Sequence, residues 1–318
     1  MASEKDGEWG VRFWGDNTID KFGARPNDPD AALASARILD HGNVTLLSTY
    51  GSDLSICEAA RVSYGKGTVS KRDPEALLRY LMRHRHTSPF EQAEVTFFLR
   101  VPIFVARQLI RHRTANVNEY SARYSELSDD FYIPAPTHVA TQSTTNRQGS
   151  GESLDDAMSE KLESAQIDIL QSQQNGVETY HRLLTTHGVS RETARIVTSV
   201  GTYTEMYWKC DLHNFLHFLN LRMDAHAQQE IRDLATAMYW CARPFFPFVV
   251  DAWNDYVRNS YTLSAAECRM LGDILRRCNR PGDPRGGTVR ESWPNNTYDM
   301  SDREHATFRS FLDKLLPQ

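Results

Sequence analysis

Cysteine is scarce and dispersed, with five residues (Cys57, Cys210, Cys241, Cys268 and Cys278) and no Cys-x-x-Cys pair. That pattern argues against a disulfide framework or a zinc ribbon and leaves reduced thiols as the expectation. No apolar run approaches the roughly 18 residues that span a bilayer. The N-terminus, with Glu4, Lys5, Asp6 and Glu8 in its first ten residues, lacks the apolar stretch of a secretory signal. A cytoplasmic protein without membrane contact is expected. Neither Gly-x-Gly-x-x-Gly nor Gly-x-x-x-x-Gly-Lys-[Ser/Thr] occurs, so any nucleotide is held by something other than those glycine loops. An excess of positive charge is also missing: 36 Lys and Arg against 41 Asp and Glu give a net charge of −5. That balance speaks against holding nucleic acid through bulk charge. With 17 Gly and 13 Pro in 318 residues, 40% hydrophobic and 24% charged, the composition is that of a packed globular chain. Its length is compatible with about two domains of roughly 150 residues.

Residues 1 to 37 are polar and form an extension, with the folded body starting near Ile38. Val44 to Tyr50 reads as a strand after the turn at His41-Gly42-Asn43. Asp73-Pro74-Glu75 starts a helix that stops before Ser88-Pro89. Glu94 to Val101 is β-branched and aromatic, as a strand is, and Pro102 opens a second helix ending in Arg111-His112-Arg113. Residues 140 to 159, rich in Ser, Thr, Gln, Asn and Gly, read as a surface insertion. Helices are expected over Met158 to Leu184, Arg191 to Val200, and along the whole of Tyr203 to Ala242, from apolar spacings of three and four. Past residue 256 a helical C-terminal extension begins, with Ser-x-x-Glu boxes at Ser264 and Ser301 flanking the loop from Pro281 to Gly287. The folded body is thus 38–256 and the last segment 257–318.

Arg107-Gln-Leu-Ile-Arg111-His112-Arg113 is the densest polar constellation. Arg107 and Arg111 share a helix face, and cations at a helix C-terminus also stabilise it, so a structural role for any single Arg stands beside a ligand role. Three guanidiniums and an imidazole within seven residues need anionic partners wherever they are partly buried, and their planar forks suit phosphate or carboxylate oxygens. A second cluster runs through Asp211, His213, His217, Arg222, Asp224 and His226. The i, i+4 pair His213 and His217 has metal-binding spacing, but no His-Glu-x-x-His or comparable set completes it, and no metal is expected. Capping or packing roles for these histidines, and a surface ion pair of Arg222 with Asp224 or Glu230, remain open. Ser121 lies outside any Gly-x-Ser-x-Gly elbow and is read as a hydrogen-bonding residue.

Arg111-His112-Arg113, seven intervening residues, and Ser121 within Asn-Glu-Tyr-Ser-Ala-Arg-Tyr124 resemble the signature of the flavin-dependent thymidylate synthases. Other blocks in the same order are similar too: His86-Thr-Ser-Pro-Phe-Glu91, Pro102 to Gln108, Phe131-Tyr-Ile-Pro134, Ala194-Arg195-Ile196, and Leu221 to Gln228. The resemblance spans about 38 to 256. It implies an α/β fold of the α+β type, with a central, mainly antiparallel sheet and long helices, assembled as a homotetramer whose sites draw on several subunits. It implies reductive methylation of dUMP to dTMP, with methylenetetrahydrofolate as carbon donor, NADPH as reductant and FAD as hydride carrier. Residue by residue, it assigns Gln108, Leu109, Ile110, Arg111, Glu119, Tyr120, Ser121, Ala122, Arg123, Arg195 and Arg222 to dUMP. It assigns Ser88, Arg111, His112, Arg113, Glu119, Asp211, Leu212, His213 and His217 to FAD. Arg222 is the arginine that would promote ionisation of uracil N3, and no cysteine serves as nucleophile. The residues suit this chemistry: two phosphate-bearing ligands account for clustered arginines on a net negative chain, and the flavin supplies a redox step no side chain can perform. Rival readings are a nucleic-acid module gripping phosphates through Arg107, Arg111, Arg113 and Arg123, a flavoprotein reductase, and a chain kept for assembly contacts.

Overall fold

The structure, a computed structural model, describes residues 33–64, 73–135, 138–143, 150–153, 159–278 and 302–315. Among these, the residues up to Arg258 form one compact unit and those from Asn259 another.

The first unit is built on a five-stranded antiparallel sheet. Strands β1 (Ala34–Ile38), β2 (Gly42–Tyr50), β3 (Glu94–Pro102), β4 (Asn116–Glu119) and a later strand, Tyr203–Asp211, lie in the order β1, β2, β3, Tyr203–Asp211, β4. The alternation expected of a half-buried strand is plain in β3, where Val95, Phe97, Leu99 and Val101 are buried and Thr96, Phe98 and Arg100 lie on the other face. The folded body begins earlier than Ile38, because Ala34 and Ala36 turn inward on β1 against β2. The hairpin between them is tight: Leu39 takes a φ of 53°, and a Cβ at Gly42 would sit 2.7 Å from the Ile38 carbonyl oxygen.

Helix α1 (Asp53–Arg61) starts at a Ser52 capping box, and α2 (Pro74–Arg83) at Asp73-Pro74, burying Leu77, Leu78 and Leu81. The short helix α3 (Ile103–Leu109) follows β3 directly. A second sheet is the antiparallel pair of β5 (Ala140–Gln142) with β6 (Ser150–Ser153). Helix α4 (Ser159–Thr185) is long, as its spacing predicts. The helix expected over Arg191 to Val200 is instead one turn, α5 (Arg191–Ala194), and a 3₁₀ turn to Val197.

Tyr203 to Ala242 is not one helical segment. Tyr203–Asp211 is strand β7, between β3 and β4; helix α6 (Leu212–Arg222) and helix α7 (Gln229–Ala242) follow, separated by residues 223–228. The period of two decides it: Thr204, Met206, Trp208 and Cys210 are buried, whereas Glu205, Tyr207 and Lys209 face outward. Helix α6 buries Leu212, Phe215, Leu216, Phe218 and Leu219 under the sheet, and α7 is buried on nearly all sides. Helix α8 (Pro247–Trp253) closes the core, with Phe248 and Val249 main-chain N–H groups donating to the buried Asp53 carboxylate.

Two carboxyls on α7 are buried. Glu230 accepts from the Tyr132 hydroxyl at 3.1 Å, and Asp233 accepts from Gln229 at 2.6 Å. Burial pushes the Asp233 carboxyl up to about 7 from its ordinary 3.8. The unfolded chain therefore loses this proton first, so stability should decline as pH rises from about 4 through about 7 and level off above. In urea titrations Asp233→Asn should lack this slope, and a variant whose midpoint tracks the wild type across the window would refute it.

In the second unit, helices α9 (Ala265–Cys278) and α10 (Asp302–Leu315) pack Met270, Ile274, Phe308 and Leu312 together, with Tyr261 stacked on Phe311. The predicted box at Ser264 is present: Glu267 N–H donates to Ser264 Oγ and Ser264 N–H to Glu267 Oε2. The box at Ser301, the loop from Pro281 to Gly287 and most of the N-terminal extension lie outside the described residues.

Candidate active site

Helix α3 presents its residues in two directions. Val105, Ala106 and Leu109 enter the core, while Arg107 and Ile110 stay exposed on one wall of a cleft. The facing walls are the chain from Glu119 to Ala122, leaving β4, and the segment from Arg195 to Val200 after α5. The cleft measures about 740 Å³, which suits a small molecule. Ile103, Ile110, Ile196 and Val200 give it apolar surface; Arg107, Arg195, Ser121, Thr198 and Ser199 give it donors. Glu119 is held by the Thr204 hydroxyl at 2.9 Å. The Arg123 N–H donates to Ser121 Oγ at 3.4 Å. Two exposed ion pairs tie the walls together, Arg123 with Glu192 at 3.3 Å and Arg191 with Glu126 at 3.2 Å. Among the described residues, Arg107 and Arg195 pair with no carboxylate, so with Glu119 the only acid in the lining the cleft offers a net positive charge beside apolar surface. A planar ring carrying an anionic tail matches that lining.

The second cluster forms where β7 runs straight into α6. Asp211 caps the helix: its carboxylate accepts from the Asn214 N–H at 2.9 Å and from the Asn214 side chain at 2.6 Å. Leu212 is wholly buried and its N–H donates to the Ala93 carbonyl. His213 and His217 lie on the outward face, and Arg222 ends the helix. There the Arg222 Nε donates to His112 Nε2 at 2.9 Å, and the His112 ring stands edge-on to Phe218 at 5.0 Å. Burial first, then the Arg222 and His217 charges, hold the His112 imidazole down at about 4, so it is neutral at physiological pH. Gln108 donates to Gln228, joining α3 to the loop after α6. Arg111, Arg113 and Ser88 are exposed, and none makes a side-chain hydrogen bond or ion pair among the described residues.

The residues assigned to dUMP thus divide. Ile110, Glu119, Tyr120, Ser121, Ala122 and Arg195 line the cleft, whereas Gln108, Leu109, Arg111, Arg123 and Arg222 do not. Leu109 is wholly buried and has only main-chain atoms to offer. Of the residues assigned to FAD, His112 lies close to both His217 and Arg222, while Asp211 and Leu212 are occupied by the helix start. Arg107, Thr198, Ser199 and Thr204 line the cleft without having been assigned. For Arg107 the signal was its place one helical turn before Arg111; the others lie in a stretch read as helix. Cys210 is buried and its thiol is pushed well above its ordinary range by burial, which unfits it as a thiolate nucleophile. Among the described residues no cluster of His, Cys, Asp and Glu could hold a metal ion, and no helix is long and apolar enough to cross a membrane.

The family described as thymidylate synthase complementing protein matches residues 45–248. The flavin-dependent thymidylate synthase of Wolbachia pipientis wMel is 47% identical over 240 residues, covering 76% of this chain and 83% of the relative. That of Dictyostelium discoideum is 48% identical over 254 residues, covering 77% and 82%. Among solved structures, a UMP/dUMP methylase, PolB from Streptomyces cacaoi, bound with 5-Br dUMP, is 33% identical with a TM-score of 0.62, covering 69% of this chain and 97% of that one. A match over most of the folded body, carrying the Arg-His-Arg and Ser121 blocks on the cleft and the helix end just described, places this chain in the flavin-dependent thymidylate synthase family.

Proposed function

We propose that the protein converts dUMP to dTMP by reductive methylation, as a cytoplasmic homotetramer taking its carbon from methylenetetrahydrofolate and its electrons from NADPH. The observation that carries this reading is the cleft in which Arg107, Arg195 and Ser121 meet an apolar wall. Its cations would take the nucleotide phosphate, and Ile110, Ile196 and Val200 would cover the ring. Arg222 and His112 do not line that cleft. Sites shared between subunits would bring such separated halves together, and exposed Val117, Tyr120, Tyr124 and Ile196 offer contact surface close by.

The chain also fits a flavin. Arg111, Arg113 and Ser88 are exposed donors without partners among the described residues, as a dinucleotide diphosphate requires, and His217 is exposed beside them in the assigned set. Bound there, FAD would supply the two-electron transfer that completes the methyl group. Arg222 would act on the pyrimidine, stabilising negative charge as N3 gives up its proton and so enriching C5. His213 and His217, on the outer face of α6, would orient the cofactor, and Ser121 would hold dUMP rather than attack it.

Release of tritium from dUMP labelled at C5, in the presence of methylenetetrahydrofolate and NADPH, tests the activity. Oxidation of NADPH with no tritium release would identify a reductase instead. A protein that is colourless and fails to take up added FAD would exclude the flavin. Ser121→Ala should weaken dUMP binding by roughly 1.5–3 kcal/mol while product still forms, the value of a hydrogen bond to a charged group. Abolished methyl transfer with unchanged dUMP affinity would instead mark Ser121 as a nucleophile.

A further inference from the structure

Arg222 is bonded to an imidazole, where three other arginines of the first unit are bonded to carboxylates. Arg100 pairs with Asp130, Arg123 with Glu192 and Arg191 with Glu126. Arg222 is half-buried, and the one side-chain hydrogen bond it makes among the described residues goes from Nε to the imidazole of His112. The carboxylates close to it in sequence are committed elsewhere: Asp224 to His226 at 2.8 Å, and Glu230 to the Tyr132 hydroxyl.

We propose that His112 is the positioning residue for Arg222: its Nε2 lone pair fixes the guanidinium by Nε and leaves both terminal nitrogens for the uracil edge. The inference rests on the catalytic reading of Arg222. A carboxylate would also fix the guanidinium, but it would cancel the field that the developing anion is to feel. A neutral imidazole fixes the orientation and leaves the full charge directed at the substrate. For Nε2 to accept, the ring must be neutral with its proton on Nδ1: burial keeps it neutral, and the Nε–H of Arg222, which can only donate, selects that tautomer. The ring is itself braced, because it stands at 88° to Phe218, which is wholly buried and lies one helical turn before Arg222 on α6. Helix, phenyl ring, imidazole and guanidinium close a loop that holds an otherwise flexible side chain at a helix terminus. A catalytic group displaced by about 1 Å can lose on the order of a hundredfold in rate, so a brace of this kind has kinetic weight.

The test compares His112→Phe, which keeps an aromatic ring on Phe218 but has no acceptor, with His112→Gln, whose amide oxygen can accept from Nε. Both are set against Arg222→Ala and the double variant His112→Phe with Arg222→Ala. Flavin absorbance, dUMP-independent NADPH oxidation, and kcat and KM for dTMP formation are measured on each. Because His112 is also among the residues assigned to FAD, rates are taken per flavin-loaded subunit. On that basis His112→Phe should keep KM for dUMP within about twofold and lose about 10- to 100-fold in kcat for dTMP formation, well beyond its loss in dUMP-independent NADPH oxidation. His112→Gln should recover most of that loss. In the Arg222→Ala background, His112→Phe should cost nothing further. The proposal is overturned if His112→Phe turns over normally while Arg222→Ala does not, if losses in the double variant multiply, or if NADPH oxidation per bound flavin falls as far as dTMP formation. Unimpaired dTMP formation by Arg222→Ala would instead remove the catalytic reading itself, and with it this role for His112.

Discussion

Arg222→Ala should keep the fold and most of the flavin and lose about a hundredfold or more in dTMP formation, the scale on which a preorganised charge-stabilising donor is missed. The fold should survive because the substitution removes no buried apolar surface: α6 is anchored by Leu212, Phe215, Leu216, Phe218 and Leu219, and Arg222 lies past them at its end. The surface ion pairs open to it on sequence grounds are not made, since Asp224 and Glu230 are bonded to His226 and Tyr132. What remains is a cation held by an uncharged partner, positioned but not neutralised. Lys at this position should restore little, because a point charge on a flexible stem lacks the fork and cannot be fixed through an Nε–H. NADPH oxidation without dUMP should survive better than dTMP formation. Measuring both rates on one preparation separates loss of pyrimidine activation from general damage, and near-normal dTMP formation would remove Arg222 from the reaction.

Phe218→Ala should cost about 3–5 kcal/mol of stability, the range for emptying a buried aromatic site. Phe218 is fully buried, packs against Trp208 at 5.5 Å between ring centroids and meets the edge of His112 at 5.0 Å. Truncation opens a cavity between sheet and helix and removes the wall on which the imidazole stands. Two consequences should therefore appear together: a lower denaturant midpoint with an unchanged slope, and a fall in kcat beyond what the unfolded fraction explains. Phe218→Leu should recover much of the stability and less of the kcat, because it refills volume without restoring the flat ring. A stability loss below about 1 kcal/mol would show that the helix repacks freely around the site.

The elements legible in sequence were those whose periodicity and end signals agree. β3 alternates cleanly, α2 opens on Asp73-Pro74, and the Ser264 box caps α9 as expected. β7 was hidden because Thr204 is polar yet buried and Tyr207 is aromatic yet faces outward, at 51% exposure, so the alternation from Tyr203 to Trp208 is broken in the sequence and the run merges with the helix behind it. The mixed fold with an antiparallel sheet was expected and is present. The site was legible as chemistry but not as geometry. Arginines, histidines and a serine could be named from spacing and resemblance, whereas their division into a cleft and a helix-end cluster depends on α3 showing Arg107 and Ile110 to one side while His112, just beyond its end, faces α6. No pattern along the chain encodes a pairing between residues 110 positions apart.

The direct passage of β7 into α6, with Asp211 serving as both last strand residue and helix cap, also bears on how this region moves. Local opening needs a joint that can yield before the elements on either side do. Here the joint is a strand end paired across from Glu94 on β3, and Leu212 is bonded to the Ala93 carbonyl, so the start of α6 can fray only by unzipping the interior of the sheet. The bonded amide of Leu212 and those of the second turn of α6 should therefore exchange only through global unfolding, placing the start of this helix in the slowest-opening unit of the protein. The mobility needed to admit and release ligands is thereby pushed outward, to residues 223–228 and the two ion-paired walls of the cleft.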